Sequence, residues 1–228
     1  MNKTMILALI LSIGASFYAY TKFDCCSLKK KAKSMSATNR TPDNQVDPIF
    51  TERWSQRAMS GEKISHKEKM SLFEASRWAP SSYNDQPWSF IYVERETSAW
   101  DKMFNLLVDF NKSWCANAGM LILVVSRNTF SFNGQPMRTH SFDTGAACEN
   151  LALQGSIDGL VVHGMEGFDY DKARKEFNIP SNYTIEAMFA VGKPAGKEVL
   201  PEALQPQEVP SGRKSVSEFV FEGQFKGA

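Results

Sequence analysis

The body of the chain alternates between helix-like and strand-like patterns of apolar and polar residues. Asp47 followed by Pro48 predicts the N-cap and first turn of a helix that continues at helical spacing to Arg57. Ser65 is the expected N-cap of a second helix, which Pro80 ends. The same patterns predict further helices over residues 97–110, 112–118, 143–157 and 170–177. The third of these is rich in Ala and Leu, so we expect it at the centre of the fold.

Short apolar segments predict strands at residues 88–93, 120–126, 159–162 and 184–191. The second segment (MLILVVS) is almost continuously apolar, as expected for a strand that is buried on both faces. Helices and strands interleave without the regular rhythm of a doubly wound fold, which favours an α+β domain with a small mixed sheet. The last 34 residues, 195–228, carry few helix signals. An arm of this length often wraps a partner subunit, so we expect a dimer.

Composition places the chain among ordinary globular proteins. It has 228 residues, of which 43% are hydrophobic and 22% are charged, and this excludes a disordered chain and a disulfide-stapled miniprotein. The net charge of +1 hides an asymmetry, because residues 1–34 sum to +5 and the other 194 residues to −4. A slightly acidic body gives no support to nucleic-acid binding.

The first 34 residues differ from the rest and are treated as an extension of a single domain over residues 35–228. Residues 5–20 are uncharged and mostly apolar, and a Lys cluster follows at 29–33. The run is shorter than the roughly 20 residues that cross a bilayer comfortably. A signal-peptide core, a membrane anchor and an extension upstream of a start at Met35 all remain open. We expect a cytoplasmic body, with membrane contact only if this segment is retained.

Several common catalytic motifs are missing from the sequence. It contains no GxGxxG, GxxxxGK[ST], HExxH or GxSxG motif. The three His residues, at 66, 140 and 163, are far apart and lack neighbouring metal ligands. The four Cys residues show no CxxC spacing, and buried free thiols are expected for Cys115 and Cys148. The sequence therefore predicts neither a zinc site nor a dinucleotide-binding loop.

Two arginines in the first predicted helix suggest an anion site. Arg53 and Arg57 are four residues apart, on one face of that helix, with Ser55 between them. Guanidinium groups that repel each other commonly share an anion, and phosphate suits their bidentate geometry. The alternative is a solvated basic face balanced by Glu52 or Glu62.

Three loops carry further candidates. The loop 79–88 (APSSYNDQPW) is stiffened by two prolines and offers small uncharged polar groups, which suit a flat heterocycle with polar edges. The turn 162–169 has two glycines, which allow a backbone to approach a ligand closely. Arg213 and Lys214 form a basic pair in the C-terminal arm. Plain turns and a solvated basic pair are the alternatives.

Together these segments resemble the FMN-dependent nitroreductase family, which includes NAD(P)H:flavin oxidoreductase-like proteins, over nearly the whole of residues 47–222. Residues 52–58 (ERWSQRA) are similar to its opening R-x-S-x-R phosphate motif. Residues 79–88 are similar to its A-P-S-S-x-N-x-Q-P-W signature, which is the most specific match. The turn 165–169 (MEGFD) is similar to the loop whose amides face the flavin, and residues 213–214 resemble the basic pair that closes on the phosphate.

The resemblance implies a nitroreductase-like homodimer with helices around a mixed sheet, an exchanged C-terminal arm and FMN sites at the subunit interface. By analogy, residues at 53, 55, 213 and 214 would hold the phosphate, Asn111 would meet the ring edge, and the cation of Arg57 would lie near the flavin pyrimidine. The full set of FMN-binding residues implied is Arg53, Trp54, Ser55, Arg57, Pro80, Ser81, Ser82, Asn84, Gln86, Asn111, Glu166, Gly167, Arg213 and Lys214. One departure is Trp114, which stands where some relatives have a Lys.

The function that the resemblance implies is an oxidoreductase with FMN and NAD(P)H as cofactors. Hydride would pass from NADH or NADPH to flavin N5, and then to a small electron acceptor such as a nitroaromatic or a quinone, by a ping-pong mechanism. No side chain beyond the flavin itself is expected to be catalytic. The alternatives are a flavin carrier, sensor or flavin-consuming enzyme, and a membrane-tethered interaction module without flavin.

Overall fold

The computed structural model describes residues 40–227; the apolar run at residues 5–20 and the Lys cluster lie outside the described residues. Four strands form one sheet in the order β1-β2-β4-β3, and each neighbouring pair is antiparallel. The strands are β1 (Trp88–Glu94), β2 (Met120–Arg127), β3 (Val161–Met165) and β4 (Tyr183–Gly192). The helices are α1 (Pro48–Glu52), α2 (His66–Arg77), α3 (Trp100–Phe104), α4 (Asp109–Cys115), α5 (His140–Ile157) and α6 (Tyr170–Glu176).

The core lies on both faces of the sheet, with β2 at its centre. Residues 120–126 are all buried, which confirms the predicted buried strand. Alternate side chains of β2 point to opposite faces. Leu121 and Leu123 belong to a cluster with α3 and α4, whereas Met120 and Ile122 pack with residues of α2 and α5. The sheet therefore supports two layers of helices, as expected for the α+β class.

The predicted second helix is confirmed together with its start signal. Ser65 accepts a hydrogen bond from the Glu68 N–H, and Glu68 Oε2 accepts one from the Ser65 N–H, so the two residues form a capping box. Helix α2 ends at Arg77, before Pro80. The cap of α1 is also confirmed, because the Asp47 side chain accepts from the Ile49 N–H.

Other boundaries differ from the sequence prediction. Helix α1 ends at Glu52, so the prediction of a helix that carries both Arg53 and Arg57 is wrong. The predicted helix 97–110 breaks after α3, because Leu107 instead pairs with Phe168 in an isolated antiparallel bridge. Strand β3 begins at Val161, because the chain first turns at Gly159, whose φ is +70°. The described sheet is antiparallel throughout rather than mixed.

Helix α5 is buried on only one side, which partly contradicts its predicted central position. Its inward side includes Ala147 and Leu151, which are fully buried. Its outward side includes Phe142 and Ile157, which are 81% and 65% exposed. The C-terminal arm (residues 195–227) contains three short 3-10 helices, Lys197–Val199, Glu202–Gln207 and Val216–Glu218. Within residues 40–227, no helix is long and apolar enough to cross a membrane.

The packing of α5 on β3 generates the first prediction. A Cβ at Gly155 would lie 2.3 Å from Val162 Cγ2, so Gly155→Ala must push the helix away from the strand. We expect the free energy of unfolding in urea to fall by about 1–3 kcal/mol. Ser156→Ala, in the same turn, is the matched control and should have little effect. Equal stability of the Gly155 variant and the control would contradict this packing.

Candidate functional site

Residues 53–57 run without regular secondary structure between α1 and the buried Ala58. Arg53 caps α1 with an extended backbone, and its side chain faces Glu149 of α5 at 3.6 Å. The Arg57 N–H donates to Glu208 Oε1 at 2.7 Å, which ties this segment to the C-terminal arm. Because α1 ends at Glu52, the two arginines are not paired on a helix face; the segment that carries them, residues 53–57, is called the strip below.

Three guanidinium groups come together at the Arg53 end of this strip. Arg40 Nη1 donates to the carbonyl oxygens of Thr51 and Arg53, at 3.0 and 2.8 Å, and its Nε donates to the Ser211 carbonyl at 2.8 Å. Burial and the nearby charges of Arg213 and Arg53 lower the pKa of Arg40 below its usual value. This concentration of positive charge suits a phosphate.

Arg40 was missed by the sequence analysis. It stands in a polar run that shows no periodicity, so only its contacts with residues remote in sequence reveal it. Of the remaining residues expected at this end, Ser55 is exposed on the strip, and Lys214 is exposed in the arm beside Arg213. Neither residue is brought by a described contact into the guanidinium cluster (Arg40, Arg53, Arg213).

A chain of contacts joins the other end of the strip to the predicted ring-edge residues. His163 Nδ1 donates to the Gln56 carbonyl at 2.8 Å, and its ring lies 4.5 Å from the ring of Trp114. Trp114 Nε1 donates to Asn111 Oδ1 at 3.2 Å, and Asn111 Nδ2 donates to the Gly167 carbonyl at 3.0 Å. The structure therefore brings the strip, Asn111 and Gly167 into one continuous network.

Trp114 has a definite task in this network. It is buried, and its single N–H fixes which end of the Asn111 amide faces the tryptophan and which faces Gly167. Burial, with a smaller contribution from the charge of Arg57, lowers the pKa of His163. The imidazole is thus neutral at neutral pH, and its Nδ1–H is the donor to the Gln56 carbonyl.

The turn after β3 offers free backbone donors. The Gly167 carbonyl is occupied by the Val108 N–H and by Asn111, and the Glu166 carbonyl accepts from the Phe168 N–H. Within residues 40–227, the N–H groups of Glu166 and Gly167 donate no hydrogen bond. A Cβ at Gly167 would lie 2.7 Å from Asn111 Nδ2, so any other residue here would require the amide to move. Two adjacent free N–H groups can bind an acceptor atom of a ligand.

The signature loop (residues 79–88) forms a turn on the N-terminal end of α5. Ser82–Asn84 is a single 3-10 turn, and Tyr83, Asn84 and Gln86 all have positive φ values near 50°. The Ser82 N–H donates to Asp143 Oδ2 at 2.9 Å. Such strain in non-glycine residues is usually found at functional sites.

Some of the polar groups predicted to face a ligand are used within the loop itself. Ser81 Oγ accepts from the Gln86 N–H at 3.0 Å, and Gln86 Nε2 donates to the Asn84 carbonyl at 2.8 Å. Asp85, which the sequence analysis did not single out, accepts from Arg127 and Ser131 and so fastens the loop to the segment after β2. Pro80 is exposed at the start of the loop.

The predicted residues fall into two groups on different sides of α5. Arg53 approaches the helix at Glu149, whereas Ser82 approaches it at Asp143. Six residues separate these positions, which places them about 120° apart around the helix axis. No described hydrogen bond or ion pair joins the signature loop to the guanidinium cluster or to Gly167. Within one chain, the predicted FMN-binding residues of the signature loop therefore lie apart from those around the guanidinium cluster.

The two cysteines in the described part of the chain do not contribute a reactive thiol to the site. Both are free, Cys115 is buried and Cys148 is half-buried. Burial raises the pKa of the Cys115 thiol, and burial with the nearby charges of Glu186 and Glu149 raises that of Cys148 to about 12. The expectation of an inert buried thiol is confirmed for Cys115.

The donor set of the strip fits a flavin mononucleotide. Among the described residues, Trp54 Nε1 and Arg57 Nε are buried and have no hydrogen-bond partner. Buried donors of this kind need an acceptor, because an unpaired buried polar group is costly. The guanidinium cluster suits a phosphate, and the two N–H groups at Glu166 and Gly167 suit an acceptor on a ring edge. The residues present therefore fit the group that the resemblance implies.

Comparisons with known proteins show which family this chain resembles. The model of the nitroreductase family matches residues 50–193, which is more than half of the chain. A crystal structure described as an oxidoreductase containing FMN is 38% identical, with a TM-score of 0.81, and the match covers 86% of this chain and 100% of that one. The chain therefore belongs to the nitroreductase family.

Two curated relatives are more distant. Protein DrgA of Synechocystis sp. is 25% identical over 180 residues, covering 64% of this chain and 82% of DrgA. A Streptomyces coelicolor protein, named provisionally as an NADH dehydrogenase/NAD(P)H nitroreductase, is 23% identical over 176 residues, covering 69% of this chain and 87% of its own length. The expected α+β fold is confirmed by the solved FMN-containing oxidoreductase structure.

The contact between Gly167 and Asn111 generates the second prediction. Gly167→Ala places a Cβ against Asn111 Nδ2 and 3.0 Å from Val108 Cγ2. We expect the free energy of unfolding to fall by about 1–3 kcal/mol, because the amide must move and lose its hydrogen bond. In a double-mutant cycle measured by urea unfolding, Asn111→Ala should relieve part of this cost. Strict additivity of the two substitutions would contradict the predicted contact.

Proposed function

We propose that this protein is an FMN-dependent oxidoreductase that takes hydride from NADH or NADPH and passes it to a small acceptor such as a nitroaromatic or a quinone. The proposal rests on one observation. A continuous network of contacts runs from the guanidinium cluster, along residues 53–57, to the turn that carries the free N–H groups of Glu166 and Gly167. A relative described as containing FMN supports the cofactor, and the Streptomyces name supports the reductant.

At the phosphate end, the chain supplies charge and fixed donors. Arg53 and Arg213 would bind the phosphate directly, with Ser55 and Lys214 at the solvent side. Among the described residues, the Arg53 side chain meets one carboxylate, that of the more exposed Glu149, at 3.6 Å, so an incoming dianion would meet a weak competitor. Charge-assisted hydrogen bonds of this kind are about twice as strong as neutral ones.

At the ring end, the chain supplies position and polarity. The free N–H groups at Glu166 and Gly167 would hold the ring edge, and Asn111 keeps their turn in place through the Gly167 carbonyl. Arg57 Nε and Trp54 Nε1 are buried donors that would favour negative charge on a bound ring. When bound, FMN supplies the chemistry of accepting and releasing hydride. In this proposal, reductant and acceptor use the same pocket in turn, which gives ping-pong kinetics.

A second copy of the chain would complete the site. The signature loop, with Pro80, Ser82 and Asn84, lies on another side of α5 from the guanidinium cluster, so we assign it to the partner's site. The outward side of α5 exposes Phe142, and the arm exposes Phe225 to 82%. Large exposed apolar side chains of this kind mark interaction surfaces. We therefore propose a homodimer in which the end of the arm, beyond the contacts that hold residues 208–216 to their own chain, is exchanged with the partner.

The proposal is tested by anaerobic reduction of the purified protein. NADH or NADPH should bleach the flavin absorption bands, and addition of a nitroaromatic or a quinone should restore them. Steady-state rates at varied concentrations of both substrates should give parallel double-reciprocal lines. Flavin bands that resist both reductants would instead indicate a flavin carrier or sensor, and would contradict the proposed activity.

Removal of the Arg53 guanidinium should weaken retention of FMN. We expect Arg53→Ala to bind FMN about tenfold more weakly, because one charge-assisted contact to the phosphate is lost. Arg53→Lys keeps the charge and is the matched control, with an intermediate affinity. The measurement is the ratio of flavin to protein absorbance after purification and desalting. An Arg53→Ala protein with full flavin content would exclude the phosphate role of this residue.

A further inference from the structure

The C-terminal arm is fastened to the beginning of the described chain on both sides of Arg213. Before it, the Ser211 carbonyl accepts from Arg40 Nε at 2.8 Å. After it, Asp43 Oδ2 accepts from Ser215 Oγ at 2.9 Å and from the Val216 N–H at 2.8 Å. These contacts join residues that are more than 170 positions apart in the sequence. Arg213 therefore lies in a short loop that is held at its two ends.

The same Arg40 guanidinium also holds the backbone of the opening motif. Its Nη1 donates to the carbonyls of Thr51 and Arg53, so one planar group joins the arm to the residue that would bind the phosphate. Among the contacts of residues 40–227, the Arg213 side chain is held within its own loop, where its Nη1 donates to Ser211 and Gly212. The position of Arg213 relative to Arg53 thus depends on Arg40.

We propose that Arg40 and Asp43 form a clamp that presents Arg213 and Arg53 to one phosphate group. Arg40 is a positioning residue in this clamp, and its own charge adds to the attraction of the anion. The proposal rests on the proposed function for the identity of that anion, the phosphate of FMN. It adds a segment before residue 50, where the match to the family model begins, to the machinery that binds the flavin.

The clamp favours FMN binding because it orders the arm before the flavin binds. The arm has little regular structure around Arg213, so ordering it only when FMN binds would consume part of the binding free energy. With the clamp, the arm is ordered during folding, so FMN binding does not have to supply the free energy of ordering it. Holding three guanidiniums together is unfavourable without an anion, so the bound phosphate should in turn tighten the clamp.

The first test compares FMN with riboflavin, which lacks the phosphate. Apoprotein of the full chain is titrated with each flavin, and binding is followed by quenching of flavin fluorescence. Arg40→Ala and Asp43→Ala should each weaken FMN binding, by about tenfold for Arg40→Ala, and leave riboflavin affinity unchanged. The matched control is Arg95→Ala, whose guanidinium also donates to a backbone carbonyl, that of Gly61, away from the arm.

The outcomes separate the clamp from the proposed function. Wild-type protein that binds neither flavin would overturn the proposed function. FMN binding that is unchanged in both clamp variants would overturn the clamp alone. Equal weakening of FMN and riboflavin would show that Arg40 acts through general packing, which also overturns the proposal.

A second test does not depend on flavin binding. Trypsin can cut the arm after Arg213 and Lys214, and local opening controls the rate of such cleavage. Without flavin, Asp43→Ala should be cut faster than wild type and Arg95→Ala at the wild-type rate. FMN should slow cleavage of the wild type. Equal cleavage rates for the wild type and Asp43→Ala would contradict a clamped arm.

Discussion

Backbone contacts hold the Arg40 guanidinium near those of Arg53 and Arg213, and this concentration of positive charge constrains the rest of the site. Like charges repel strongly where water is partly excluded, so such an arrangement persists only when other contacts enforce it. Here the backbone carbonyls of Thr51, Arg53 and Ser211 bind Arg40. Glu149 lies 3.6 Å from Arg53 and offsets only one of the three charges, so the cluster keeps an excess of positive charge that favours an anion.

The opposite end of the site is built from neutral groups that fix one another. A buried tryptophan orients the Asn111 amide, the amide holds the Gly167 carbonyl, and the neutral His163 connects the tryptophan to the strip. In this chain the indole N–H of Trp114 orients the amide. Under the proposed function, Arg57 supplies positive charge near the ring, so the redox properties of a bound flavin should depend on it.

The sequence predicted those elements whose signals are local. The capping box at Ser65 and the apolar run of β2 were read correctly, because hydrogen bonds between near neighbours and continuous burial determine them. The sequence overestimated the length of α1. The carbonyl oxygens of Thr51 and Arg53 accept hydrogen bonds from Arg40, and the Arg57 N–H donates to Glu208 of the arm, so these groups do not continue the helix. Arg40 itself could not be found from spacing, since its partners are brought near only by the complete fold.

For the candidate site, too, the sequence predicted the local features but not those that depend on the complete fold. The motifs identified the segments, but the separation of the signature loop from the guanidinium cluster depends on the orientation of α5, which no local pattern encodes. The free N–H groups at Glu166 and Gly167 likewise depend on the Leu107–Phe168 bridge, which joins residues about 60 positions apart. Contacts between residues remote in sequence therefore determine which candidate residues lie together in the site.

The most direct test of the central claim is the visible absorption spectrum of the purified full chain, recorded after incubation with FMN and removal of the unbound flavin. The account predicts flavin absorption bands in one-to-one proportion to the protein, and loss of bound flavin as salt screens the guanidinium cluster. A colourless protein that cannot be reconstituted with FMN would contradict the account, because the positive cluster and the free donors would then serve some other ligand.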